Sequence, residues 1–87
     1  MNDIQKSIDD MLDKLKVERD ELKLKLHLAK MDVSEEWEKL ETQLEKLDSK
    51  AQELGEVTVD ASKDVGEAAK LLGEEIMEGF KKIAKHL

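Results

Sequence analysis

Apolar residues recur along the first half of the chain at Ile4, Ile8, Met11, Leu15, Leu22, Leu26, Ala29, Val33, Trp37, Leu40, Leu44, Leu47, Ala51 and Leu54. With Glu18 as the one polar member, every step is three or four residues. The mean spacing is about 3.57, between the 3.5 of a coiled coil and the 3.6 of a free helix. At about 100° per residue, all fifteen positions fall within a sector of about 120°. Phase held over that length predicts one long helix, about residues 3–54. Two features dispute it locally. Leu22, Leu24, Leu26 and Leu28 alternate with Lys23, Lys25 and His27 at a strand-like period, but no turn residue bounds them and the helical phase runs through. Asp32 with Glu35 forms a D-x-x-E capping box, and Ser34 is a second candidate N-cap. A break near Asp32 gives the alternative, a three-helix bundle. The in-phase passage from Ala29 to Val33 to Trp37 favours the continuous helix.

The next boundary is clearer. Gly55 comes directly after the last stripe residue and suits a left-handed C′ position, Val57-Thr58-Val59 is a poor helix interior, and Thr58, Asp60 or Ser62 can cap a second helix. A hinge is expected at 55–59 and that second helix at about 60–86. Its stripe, Val65, Ala69, Leu72, Ile76, Phe80, Ile83 and Leu87, repeats every eleven residues, which implies a straight or slightly right-handed path. Gly66, Gly73 and Gly79 each cost about 1 kcal/mol of helix propensity, so this helix should depend on packing.

These elements predict an all-α, coiled-coil-like helical hairpin within a single domain. Its packing set is Trp37, Leu40, Leu44, Leu47 and Leu54 against Val65, Leu72, Ile76, Phe80 and Ile83. The lengths do not match: about 78 Å for the first helix and about 40 Å for the second, at 1.5 Å per residue. The N-terminal half is then bare. Val17, Leu24, Leu28 and Met31 add a second apolar face opposite the main stripe. An exposed stripe of that extent marks an interaction site. The expected completion is a homo-oligomer, most simply an antiparallel dimer, with Ile4, Ile8, Met11, Leu15, Val17, Leu22, Leu24, Leu26, Leu28 and Met31 as the candidate interface.

Composition narrows the function classes. The 87 residues are 43% charged, with no proline, cysteine or tyrosine, which excludes a disulfide scaffold, a zinc–thiolate site and a cysteine nucleophile. No apolar run is long enough to span a membrane and no signal peptide is evident, so a cytoplasmic location is expected. Residues 32–60 hold ten acids against three bases and account for the whole net charge of −7. That acidity argues against a nucleic-acid partner, because phosphate binding requires clustered Lys and Arg. It leaves open an adaptor whose acidic stretch meets a basic partner.

Candidate chemistry is sparse. His27 and His86 have no acidic neighbour at helical spacing, and there is no Glu-x-x-His for a carboxylate-bridged metal pair. The methionines at 1, 11, 31 and 77 are scattered, so packing explains them better than a soft-metal site. No serine has a histidine near it in sequence, no glycines form a phosphate loop, and a chain with two aromatic residues has little material for a catalytic pocket. No catalytic, metal or cofactor residue is assigned, and a non-enzyme is expected.

The segment Glu36-Trp37-Glu38-Lys39-Leu40, ahead of a Gly/Ala-containing amphipathic helix ending in lysines, resembles the small, acidic, Lys/Glu-rich bacterial coiled-coil proteins of uncharacterised function. The eleven-residue period also looks like apolipoprotein-type and desiccation-protein helices. The stripes make a structural or protein-interaction module that pairs with itself, or with another helical protein, the leading expectation. The alternative is a peripheral membrane-surface or stress-protection helix, drawing on the broad apolar face of 71–87 and its terminal lysines.

Overall fold

A computed structural model describes residues 3–87 of the chain. Three helices make up nearly all of it: α1 (Asp3–Ala29), α2 (Ser34–Leu54) and α3 (Val59–Lys85), with no strand among the described residues. Of the methionines, Met1 lies outside the described residues. The chain is all-α, but the continuous helix expected over 3–54 is broken at residues 30–33, where α2 turns back along α1. The molecule measures 46 × 19 × 17 Å, far short of the roughly 78 Å a single helix over 3–54 would reach.

The break is built from the backbone outward. The Met31 N–H donates to the Leu26 carbonyl and the Lys30 N–H to the His27 carbonyl, both at 3.2 Å. These are the paired closing bonds of a Schellman motif, with Lys30 at the left-handed position, φ 55°. A lysine stands where glycine is usual. Leu26 is buried and Met31 half-buried against the core, so the two apolar residues flanking the motif seal it. The Asp32 carboxylate then accepts the Ser34 hydroxyl at 2.8 Å and the Ser34 N–H at 3.3 Å. These bonds, the hydroxyl first, hold its pKa below the ordinary carboxylate value. The N-terminus of α2 is thus started by an Asp32–Ser34 turn, in place of the expected capping box with Glu35. The Trp37 N–H donates to the Val33 carbonyl at 2.8 Å and starts the ladder.

At the second junction the expectation for Gly55 is corrected. Its φ is −75°, in the right-handed region, and no glycine has positive φ. α2 ends instead by tightening: Gly55 N–H to the Gln52 carbonyl at 3.1 Å and Glu56 N–H to the Glu53 carbonyl at 3.0 Å are i→i−3 bonds. Among the three candidate caps, the Thr58 hydroxyl accepts the Ala61 N–H at 3.3 Å and opens α3. Ser62 is buried in the first turn.

Each helix turns its stripe inward. Ile8, Leu12, Leu15, Leu22 and Leu26 of α1, Leu40, Leu44, Leu47, Ala51 and Leu54 of α2, and Ala69, Ile76, Phe80 and Ile83 of α3 form one buried cluster. Full burial of such a side chain contributes about 1.5–3 kcal/mol, which is what holds three individually marginal helices together. The glycines of α3 set the spacing. A methyl group built at Gly66 would overlap Ile4 Cγ2, one at Gly73 would overlap the end of Met11, and one at Gly79 would overlap Leu40 Cδ2. The matched seven-residue steps from Ile4 to Met11 and from Gly66 to Gly73 show α1 and α3 running in the same direction. α2 runs against both: Leu40 meets Gly79 on α3, and Lys16 Nζ lies 4.0 Å from the Asp48 carboxylate.

Candidate functional site

The residues expected to line an oligomer interface divide into two sets. Ile8, Leu15, Leu22 and Leu26 are buried in the chain's own core, and Ile4, Met11 and Met31 are half-buried against it. The bare N-terminal half that motivated the interface does not exist in this fold, because α2 folds back and α3 lies alongside α1 from Ile4 to Leu22. Val17, Leu24 and Leu28 are different. They are 56%, 60% and 72% exposed and stand on the side of α1 that faces away from α2 and α3. Steps of seven and four place them in one row along the helix.

Charged residues flank the row on its two sides: Glu18, Glu21 and Lys25 line a cleft with Phe80, Lys81 and Ala84 of α3, and Lys23, His27 and Lys30 line a groove toward the start of α2. Asp20 is exposed, and its carboxylate is paired with the Arg19 guanidinium at 3.1 Å.

The hairpin packing set behaves otherwise. Leu40, Leu44, Leu47, Leu54, Ile76, Phe80 and Ile83 are buried, and Trp37, Val65 and Leu72 are half-buried. Trp37 packs on Phe80 with ring centroids 5.7 Å apart at 41°, and its indole N–H donates to Glu41 Oε1 at 2.9 Å. An open groove beside it, about 510 Å³, runs between the end of α1 and the start of α2 and is lined by Lys23, Leu26, His27, Lys30, Met31 and Val33 among others. Its polar edge is mainly basic, and the one indole donor is already engaged. Among the described residues no group of three or more His, Cys, Asp or Glu is placed to hold a metal ion, and no helix is long and apolar enough to cross a membrane. His27 and His86 are both exposed.

Sequence reasoning missed Leu12, which is buried beside Leu15. It also placed Ala29 on the core stripe, although Ala29 is exposed at the helix end. In comparison with known proteins, no family model, no curated protein and no solved structure matches the chain.

Proposed function

We propose that this chain is a non-enzymatic helical interaction module that self-associates through the outer face of α1. The observation that carries the reading is the exposure of Val17, Leu24 and Leu28 in one row, while the main stripe of α1 is taken up by the bundle itself. Single exposed leucines are ordinary, but an aligned set on one helix face is the usual form of a partner-helix seam. The membrane-surface reading has less support. Of the apolar residues in 71–87 that it relies on, Ile76, Phe80 and Ile83 are buried against α1 and α2 and would have to be unpacked to meet lipid, while Leu71 and Leu87 are exposed.

The strength of association can be gauged from area. At these exposures, burying each side chain contributes on the order of 1–2 kcal/mol, or about 6–12 kcal/mol for the six in a symmetric pair. Association itself costs about 4–15 kcal/mol, so a weak, concentration-dependent dimer is the expected product. Light scattering on the wild type and on Leu24→Lys/Leu28→Lys tests this. The wild-type mass should rise toward twice the monomer with concentration. The double variant should stay monomeric and keep its melting temperature, because both positions are surface sites. Equal association by the two proteins would exclude this face.

A further inference from the structure

We infer that the groove at the α1–α2 turn is a binding site for a single-chain anionic amphiphile, an apolar chain ending in a carboxylate. The turn itself builds the walls. Because α2 folds back at residues 30–33, Leu26 from the end of α1 and Trp37 from the start of α2 line one space of about 510 Å³, with Met31 and Val33 between them. That volume is ordinary for a small-molecule site, which is mostly apolar with a few placed polar groups. Leu26 is buried, whereas Met31, Val33 and Trp37 are half-buried and keep apolar surface for a ligand to cover. Val17, Leu24 and Leu28 do not line this groove, so the site is distinct from the outer face of α1.

The polar groups select the kind of ligand. Along the α2 wall they are engaged: the indole N–H donates to Glu41, the Ser34 hydroxyl and N–H donate to Asp32, and the Trp37 N–H donates to the Val33 carbonyl. A peptide backbone or a sugar would bury its own polar groups there without partners, at a cost a hydrocarbon chain does not meet. The α1 edge is the reverse. Lys23, His27 and Lys30 follow at steps of four and three, and all three are exposed. Neither lysine belongs to an ion pair found among the described residues. The carboxylate that lines the groove, Asp32, is already held by Ser34. In a chain of net charge −7, this edge is therefore locally cationic, and charged donors form the stronger class of hydrogen bond to a carboxylate. Other clefts are not sorted in this way. Lys25 and Lys81 share theirs with Glu18 and Glu21, Lys14 shares one with Asp10 and Glu74, and Glu67 lines another with Lys63 and Lys70.

Trp37 is the one tryptophan of the chain, so its emission reports on the groove directly. The probe is decanoate, added to the full chain below its micelle-forming concentration, with decan-1-ol as the uncharged match and acetate as the chainless one. Decanoate should move the Trp37 emission to shorter wavelength and saturate at one molecule per chain. Decan-1-ol should bind about tenfold more weakly, and acetate should change nothing. Lys23→Glu/Lys30→Glu should weaken decanoate binding about tenfold and keep the helical circular dichroism, because both sites are exposed. Lys63→Glu/Lys70→Glu makes the same change in net charge at the end of the bundle where Ile4 meets Gly66, and should bind like wild type. The site is overturned by an absent or unsaturable decanoate response, by equal binding of decan-1-ol, or by a Lys23→Glu/Lys30→Glu effect no larger than that of the control pair. A response to polyglutamate or to phosphatidylglycerol vesicles, with none to decanoate, would overturn it in favour of an acidic protein or a lipid surface. A Trp37 shift on raising protein concentration alone, persisting in Leu24→Lys/Leu28→Lys, would overturn it in favour of a second copy.

Discussion

Replacing Lys30 by glycine should stabilise the protein. Lys30 sits at φ 55°, where the Cβ of an L-residue crowds the backbone at a cost of about 1–2 kcal/mol. Glycine removes that cost but loses about 0.5–1 kcal/mol more backbone entropy on folding, so the net gain is about 0.5–1 kcal/mol. The side chain takes little with it, since Lys30 is exposed and belongs to neither ion pair found among the described residues, Lys16–Asp48 and Arg19–Asp20. For a domain of this size, 1 kcal/mol moves the melting temperature by about 4–8 °C, so a rise of about 2–8 °C is expected. Thermal and urea unfolding followed by circular dichroism would measure it, with an unchanged denaturant slope as the sign that the folded and unfolded states are otherwise the same. The direction of the effect is diagnostic. Were α1 and α2 one unbroken helix, residue 30 would be a helix interior and glycine would destabilise by about 1 kcal/mol. A lowered melting temperature would therefore refute the turn at Lys30.

Other substitutions probe the remaining joints. Gly79→Ala should lower stability by about 1–2 kcal/mol in chemical unfolding, because overpacking against Leu40 outweighs the gain in helix propensity; an increase would mean α2 and α3 are not in close contact there. Gly55→Ala should be neutral or stabilising by up to about 1 kcal/mol, since φ is negative and the nearest side-chain atom to the new methyl, Gln5 Nε2 at 3.1 Å, ends a flexible side chain. A melting temperature lowered by several degrees would contradict that. Asp32→Ala should cost stability at pH 7. With a depressed folded-state pKa, the contribution of Asp32 is present above its unfolded pKa, near 4, and is lost as pH falls through the folded value, so the gap between wild type and variant should close in acid. A gap independent of pH would assign the effect to something other than the ionised carboxylate.

The apolar phase was legible because each helix buries one face, and Leu15, Leu22, Leu40, Leu44, Leu47, Leu54, Ile76, Phe80 and Ile83 all occupy the core their spacing implies. The break was hidden for two physical reasons. Residues 30–33 replace about one helical turn, so the step from Ala29 to Val33 keeps phase while the chain reverses. The left-handed residue that closes α1 is a lysine, which carries no mark of that conformation. Gly55 misled in the opposite sense: a glycine fitted for left-handed backbone ends its helix by shortened right-handed bonds. Leu12 escaped because a helix with two neighbours buries a wider sector than one packed in a hairpin, so Met11 and Leu12 both turn inward to differing degrees. The α3 glycines read as a weakness from one helix alone; their service as sockets for Ile4, Met11 and Leu40 depends on interhelical distances that no single helix encodes. The second apolar face was visible in the sequence, but which of its members stay exposed depends on the break. Met31 turns toward the core, and Val17, Leu24 and Leu28 remain outside.

Small-angle X-ray scattering over a concentration series tests the central claim, a self-contained bundle that meets its own copy through one helix face. In the dilute limit the particle should have a longest dimension near the 46 Å of the bundle, and with concentration its mass should rise to two chains and no further. A dilute particle approaching the roughly 78 Å of an unbroken helix over 3–54, or a monomer mass that stays flat up to high concentration, would contradict the account.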